Sequence, residues 1–175
     1  MRIKKLKLKK YRNLHEIELD FMRMKTLIIG KNAQGKTNIL ESVYFLSDLK
    51  SPRTSTISDL IQLGEDKFEI EAVVEKNNTE IELDYCYTQD KKRELKVNKV
   101  KTTPKNFKTI VKTVLFSTKD LLLLRGTPQD RRDWLDRAIS QVYPAYDERL
   151  SKYEKIRIQK NNLLKNEFVD DALLD

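Results

Sequence analysis

Eight residues constrain this chain more than any others: Gly30-Lys31-Asn32-Ala33-Gln34-Gly35-Lys36-Thr37 spell G-x-x-x-x-G-K-T. Leu27, Ile28 and Ile29 precede them as a short apolar run that reads as a buried strand. Ile39, Leu40, Val43 and Leu46 follow at helical spacing. Strand, glycine-flanked loop and helix form the context in which this pattern, the P-loop, holds phosphate. The chemistry explains the spacing. Gly30 and Gly35 let the backbone take crowded or left-handed angles, so the N–H groups from Gly30 to Lys36 can converge on phosphate oxygens. The helix contributes its unpaired first-turn N–H groups and the positive end of its dipole. Lys36 reaches the terminal phosphates as a point charge, and the Thr37 hydroxyl is a candidate Mg²⁺ ligand. A chance glycine turn between a strand and a helix is the alternative, and the flanking pattern argues against it.

The remainder of the 175 residues is enough for one domain plus an appendage. Charged residues make up 35% of the chain, and its net charge of +8 favours a polyanionic partner: nucleotide, nucleic acid or anionic surface. A single cysteine, Cys86, excludes a disulfide framework and a multi-cysteine zinc site. The only histidine, His15, falls in a polar turn, where metal ligation or proton transfer is not expected. No apolar run approaches the ~18 residues that span a bilayer. The basic N-terminus has no apolar segment behind it, so a cytoplasmic location and no membrane partner are expected.

In chain order, seven basic side chains and no acidic one occupy residues 1–12, with Leu6 and Leu8 alternating among lysines. After Arg12-Asn13, Ile17, Leu19 and Phe21 alternate with Glu16, Glu18 and Asp20. Two antiparallel strands of opposite charge are expected, and the lysine run is either a charge-paired strand face or a nucleic-acid contact. Phe68, Ile70, Ala72 and Val74, then Ile81, Leu83, Tyr85 and Tyr87, alternate with acids around Asn77-Asn78, a hairpin. Leu95 and Val97 continue as a strand, with Asn98-Lys99 a further tight turn. Residues 91–112 hold nine basic side chains and one acid, Glu94. Edge protection and a phosphate-tracking surface both explain them, and Lys96, Lys99, Lys101 and Lys105 are the candidate DNA contacts. Ile110 to Phe116 reads as a buried strand. Leu121 to Leu124 is not a Walker B strand, because the acid, Asp120, precedes the run and Arg125 follows it. Thr127 as N-cap, Pro128 and Asp130 start a helix, and Pro144 separates it from a second one carrying Tyr146, Leu150, Tyr153, Ile156, Leu163 and Leu164 as a narrow stripe. The tail from Glu167 is acidic and shows no fold of its own.

Five blocks in order are similar to one family: Lys9-Lys10-Tyr11-Arg12-Asn13; the P-loop extended to Asn38; Ser51-Pro52-Arg53-Thr54; Val114 to Leu121; and Gly126 to Arg132. Together they resemble the bacterial RecF family of ABC-type ATPases, and the resemblance reaches about residue 166. Two strands before the P-loop strand likewise resemble the heads of the SMC and RecF group. The resemblance implies an α/β P-loop NTPase of ABC/SMC-head type: a first lobe over 1–125 with a mixed sheet containing antiparallel strands, and the start of a helical arm over 126–175. It further implies ATP and Mg²⁺ as cofactors, a role in recombinational repair and replication, and binding to DNA gaps and single-strand/double-strand junctions. RecA loading with RecR and an ATP-dependent homodimer complete the picture. Arg12 and Asn13 match positions near the nucleotide in similar heads.

Two departures stand out. Pro52 replaces the family's usual histidine, and the chain contains no signature motif, Walker B or D-loop. It therefore reads as an N-terminal piece that binds nucleotide weakly, lacks enzymatic turnover by itself and leaves apolar surface around Leu27 and Ile29 uncovered. The alternatives are another SMC-like P-loop ATPase and a non-catalytic, nucleotide-binding DNA-binding module. A P-loop kinase would need a lid and its own Mg²⁺-binding acid, and neither is found.

Overall fold

The computed structural model describes residues 1–117, 120, 126–143 and 145–165. The chain divides into two compact units, Met1–Leu115 and Phe116–Asp175. The first is built on a sheet whose strands follow the alternating patterns. β1 (Arg2–Tyr11) and β2 (Leu14–Asp20) form an antiparallel pair around Arg12-Asn13. β3 (Lys67–Lys76) lies on the other side of β1, and β4 (Thr79–Thr88), β5 (Arg93–Val97) and β6 (Val100–Lys101) continue outward in the order β2-β1-β3-β4-β5-β6. Every pairing in this sheet is antiparallel. Both predicted tight turns are present. Asn77 and Asn78 have φ 52 and 62, Asn98 and Lys99 φ 49 and 68, the paired left-handed angles that two-residue hairpins require and asparagine tolerates.

One face of the sheet is buried. Leu6 and Leu8 of β1, Phe68, Ile70, Ala72 and Val74 of β3, Leu83, Tyr85 and Tyr87 of β4, and Leu95 of β5 form one cluster with Ile39, Phe45, Leu46 and Leu49 of the P-loop helix α1 (Lys36–Asp48) and its C-cap. Its centre is aromatic: Phe45 meets Tyr85 edge-on at 4.9 Å between centroids, and Phe68 meets Tyr11 edge-on at 5.3 Å. Such T-shaped pairs add about 0.5–1.5 kcal/mol beyond burial itself. Phe107, at the end of the short helix α2 (Pro104–Phe107), is fully buried in the same cluster.

The other face carries the charge, and it decides the reading of residues 1–12. Every basic side chain in this stretch has an acidic partner, most of them in the flanking strands: Arg2 with Glu75, Lys4 with Glu75 and with Glu80 of β4, Lys5 with Glu18, Lys7 with Glu16 and Glu18, Lys9 with Glu69 and Glu71, Lys10 with Glu65 just before β3, and Arg12 with Glu41 of the helix α1.

Three local expectations are corrected. Residues 27–29 join no strand, and Leu27 and Ile29 are 84% and 80% exposed, not buried. They have no neighbouring strand among the described residues, so apolar surface stands uncovered there, as expected. No parallel strand therefore gives the sheet its mixed character among the described residues. Residues 110–116 likewise form no strand: Val111 is buried, while Val114 and Phe116 face solvent. On α1, Leu40 is exposed; the helix turns Ile39, Ser42, Phe45, Leu46 and Leu49 inward instead.

In the second unit, α3 (Pro128–Val142) begins with the capping box that Thr127 and Asp130 predict, each side chain bonding the other's backbone N–H. α4 (Tyr146–Leu164) meets α3 through Tyr146 Oη, which donates to Asp136 at 2.6 Å, and through Ser140, which donates to Asp147. Neither helix has a buried residue, and Tyr153, Ile156 and Leu164 of the predicted stripe are exposed. Leu121–Arg125, Pro144 and the acidic tail lie outside the described residues.

Candidate nucleotide-binding site

The site is assembled where α1 begins. Gly35 is its N-cap, in the left-handed region at φ 93 and ψ 5. A Cβ there would lie 2.6 Å from Leu14 Cδ2 and 2.9 Å from Asn13 Oδ1, so glycine is demanded twice, by angle and by space. The β1–β2 turn therefore presses directly on the P-loop. No side chain caps α1 and no acid occupies its first turn, which keeps its first N–H groups and its positive end available to an anion. Ala33, at φ 64, supplies a second left-handed residue within the loop.

Lys36 folds back over this loop. Its ammonium donates to the carbonyls of Gly30 at 2.7 Å and Lys31 at 2.6 Å. That contact places a positive charge inside the loop's curve, where the terminal phosphates of a nucleotide would lie. Thr37 is exposed at the adjoining position, with its hydroxyl at the first turn. These residues fit a triphosphate: a backbone cradle, a lysine within it and an uncapped helix. They fit Mg²⁺ less completely. Thr37 supplies one oxygen, and among the described residues no group of three or more histidine, cysteine, aspartate or glutamate side chains is placed to hold a metal.

The structure brings Asn13 to the loop as well, while the neighbouring Arg12 bonds to α1 and the 59–60 turn. Asn13 Nδ2 donates to the Ala33 carbonyl at 2.8 Å, while Asn38 Nδ2 donates to Asn13 Oδ1 at 2.7 Å. Arg12, itself left-handed at φ 55, is fixed by its backbone N–H to Leu60 O at 2.8 Å and by Nη1 to Asp59 O at 3.1 Å. Its guanidinium grips Glu41 with both Nε and Nη2, at 3.1 and 2.8 Å. Burial works against the charged guanidinium, but the hydrogen bonds and charge of Glu41 outweigh it and raise the Arg12 pKa further. Beneath it, burial raises the Tyr11 phenol far above its ordinary range, with the Glu41 charge adding to the effect.

Sequence reasoning missed Glu41, Asn38, Ser51 and Arg53 as site residues. Arg53 Nη1 donates to Asn38 Oδ1 at 2.6 Å and to Glu41 at 3.3 Å. Asn38 and Arg53 stood inside two of the five family-like blocks, so a signal was present. Glu41 gave none, since a glutamate on a charged helix reads as solvent-facing. The candidate DNA lysines are not part of this cluster. Lys96 and Lys101 share Glu94, Lys99 approaches Glu82 at 3.8 Å, and Lys105 is exposed on α2; all lie toward the β5–β6 end of the sheet.

A sheet closed by the helix that leaves a G-x-x-x-x-G-K-T loop defines a P-loop ATPase domain. The chain belongs to the AAA ATPase domain family, whose model matches residues 1–170. Its particular resemblance is to RecF. The DNA replication and repair protein RecF of Bacillus thuringiensis (strain Al Hakam) is 37% identical over 180 residues, covering all of this chain and 48% of that protein. RecF of Bacillus cereus (strain B4264) gives the same figures. Two solved structures of the recombination mediator protein RecF in the RecFOR pathway, RecF-ATPrS and RecF-ATP, superpose with TM-scores of 0.88 and 0.84. They are 31% and 30% identical to this chain, covering 99% and 98% of it and 48% of each of their own chains. A structure of an SMC ATPase from work on its ATP-driven dimerization matches at TM-score 0.65 and 21% identity, covering 78% of this chain and 98% of its own, and shows a shared fold. The chain thus spans about half the length of the RecF proteins it matches, and the resemblance carried by its five motifs holds along its whole length.

Proposed function

We propose that this chain is the ATP-binding part of a RecF-like protein of DNA replication and repair. The observation that supports the reading best is the Lys36 ammonium lying within the loop that Gly35 and the β1–β2 turn shape, in a chain similar throughout to RecF. ATP is cradled by the backbone from Gly30 to Lys36, and Lys36 bears on the β- and γ-phosphates. Thr37 would contribute one oxygen to Mg²⁺, Asn13 braces the loop from outside, and Arg12 acts through Glu41 of α1. Mg²⁺ supplies charge neutralisation at the phosphates when bound. By the same analogy the wider protein acts on DNA at single-strand/double-strand junctions with RecR, as an ATP-dependent homodimer in the cytoplasm. No helix among the described residues is long and apolar enough to cross a membrane.

Turnover is a separate matter. Hydrolysis needs a positioned water and an acid holding Mg²⁺ from the far side, and neither group was identified in this sequence. The chain by itself therefore binds nucleotide without enzymatic turnover. A steady-state phosphate-release assay tests this: Lys36-dependent turnover equal to that of complete RecF would contradict it. The second reading, a non-catalytic nucleotide-dependent DNA-binding module, is favoured by the exposed lysines near β6. It predicts salt-sensitive DNA binding with no phosphate release.

A further inference from the structure

Among the described residues Glu41 is the one charged residue that is buried, its side chain only 1% exposed. An ion so placed is costly unless its lone pairs are filled. Here they are filled by three side chains from two separate pieces of chain. Arg12, from the β1–β2 turn, gives two donors at 2.8 and 3.1 Å. Arg53 gives one at 3.3 Å, and the Ser51 hydroxyl donates to Glu41 Oε1. Ser51 in turn accepts the backbone N–H groups of Arg53 at 2.9 Å and Thr54 at 3.1 Å, so the same carboxylate shapes the segment that follows α1.

The connection continues to the phosphate loop without a break. Arg53 donates to Asn38, Asn38 to Asn13, and Asn13 to the carbonyl of Ala33, at 2.6, 2.7 and 2.8 Å. Each amide has a fixed sense in this relay: its oxygen faces the preceding donor and its NH₂ the next acceptor. Reversing one amide would set donor against donor. The chain of bonds therefore has one satisfied arrangement, which ends on the carbonyl of left-handed Ala33 in the loop.

We infer that Glu41 is a positioning residue for the nucleotide site. Its carboxylate bonds to no group of the loop itself, but it fixes Arg12 and Arg53, and through Asn38 and Asn13 it sets the conformation of the phosphate-binding loop. The inference rests on the nucleotide-binding reading only for its effect on affinity; its effect on the loop stands without ligand. Glutamine is the informative replacement because it keeps the shape while removing the charge and turning one acceptor into a donor that faces a guanidinium.

The test uses the full 175-residue chain and two readouts. Amide hydrogen exchange without ligand should quicken in Glu41→Gln by at least tenfold at residues 32–36 and 53–60, while the β3–β4 hairpin keeps its protection. Mant-ATP affinity should fall about tenfold, the size of one missing charged hydrogen bond. A double-mutant cycle with Asn13→Ala should be strongly non-additive in that affinity, because both changes cut one relay. A general loss of stability would instead quicken exchange everywhere and give additive effects, which would overturn the inference. Unchanged exchange at 32–36 would overturn it too. Should the wild-type chain bind no mant-ATP, the functional reading fails, while local quickening at 32–36 would still support the role of Glu41.

Discussion

Residues 2–12 and 91–112 are both lysine-rich, and in sequence both invite a nucleic-acid reading. Their surroundings separate them. β1 is an inner strand, and acids of β2 and β3 on either side, with Glu65 before β3 and Glu41 of α1 at its end, pair with every basic side chain of residues 2–12. The second region ends the sheet. Among the described residues only the two-residue β6 lies beyond β5, and Glu94 is shared between Lys96 and Lys101. A run of charge is thus defined by its neighbours across the ladder rather than by its own composition. The inner run is paired at every cation, whereas in the edge run Lys96 and Lys101 share one carboxylate.

The sharpest way to break this contrast is at the most buried of the inner pairs. Arg12→Ala removes both of its donors from Glu41 and should cost about 3 kcal/mol, the lower end of the range for breaking a buried ion pair, because Arg53 remains. Urea unfolding measures it, and a loss under about 1 kcal/mol would rank the pair with ordinary surface pairs. A smaller effect is expected at the edge. Replacing Lys96, Lys99 and Lys101 with glutamine should leave the unfolding midpoint nearly unchanged, while the slope of duplex-DNA affinity against salt falls by about one for each phosphate no longer neutralised. An unchanged slope would assign these lysines to edge protection alone.

The smallest effect concerns pH. A hydrogen bond and the charge of Lys5 hold the Glu18 carboxyl below its ordinary value, and Arg2, then Lys4, do the same for Glu75. Their folded pKa values lie below the unfolded ones. The stability they contribute is therefore present above pH 4.5, the ordinary glutamate value, and is lost as pH falls through the depressed values. Carbon-detected NMR titration should find Glu18 rising toward 4.5 in Lys5→Gln. No change would mean that Lys5 does not hold it.

Much of this was legible in advance because it depends on local pattern. Period-two alternation placed β1 to β5, the Asn77-Asn78 and Asn98-Lys99 pairs announced their turns, and Thr127 with Asp130 announced the cap of α3. Residues 27–29 and 110–116 misled because an apolar run states that burial is needed but not what covers it; Leu27 and Phe116 have no covering strand among the described residues. In the site, Gly35, Lys36 and Thr37 were readable from spacing, since a backbone cradle demands glycine at a fixed distance from its lysine. Glu41 was not, because its partners come from positions 29 residues before it and 10 and 12 after, and only the fold brings Arg12, Ser51 and Arg53 to one carboxylate.

The central claim is that Lys36, held over the Gly30 and Lys31 carbonyls, is the cation that receives a nucleotide's terminal phosphates. Titration of mant-ATP against wild type and Lys36→Ala tests it most directly. The account predicts that the variant loses about 1.5–3 kcal/mol of binding, the value of a charged hydrogen bond, while its unfolding curve stays that of the wild type. Equal affinity in the two proteins would contradict it.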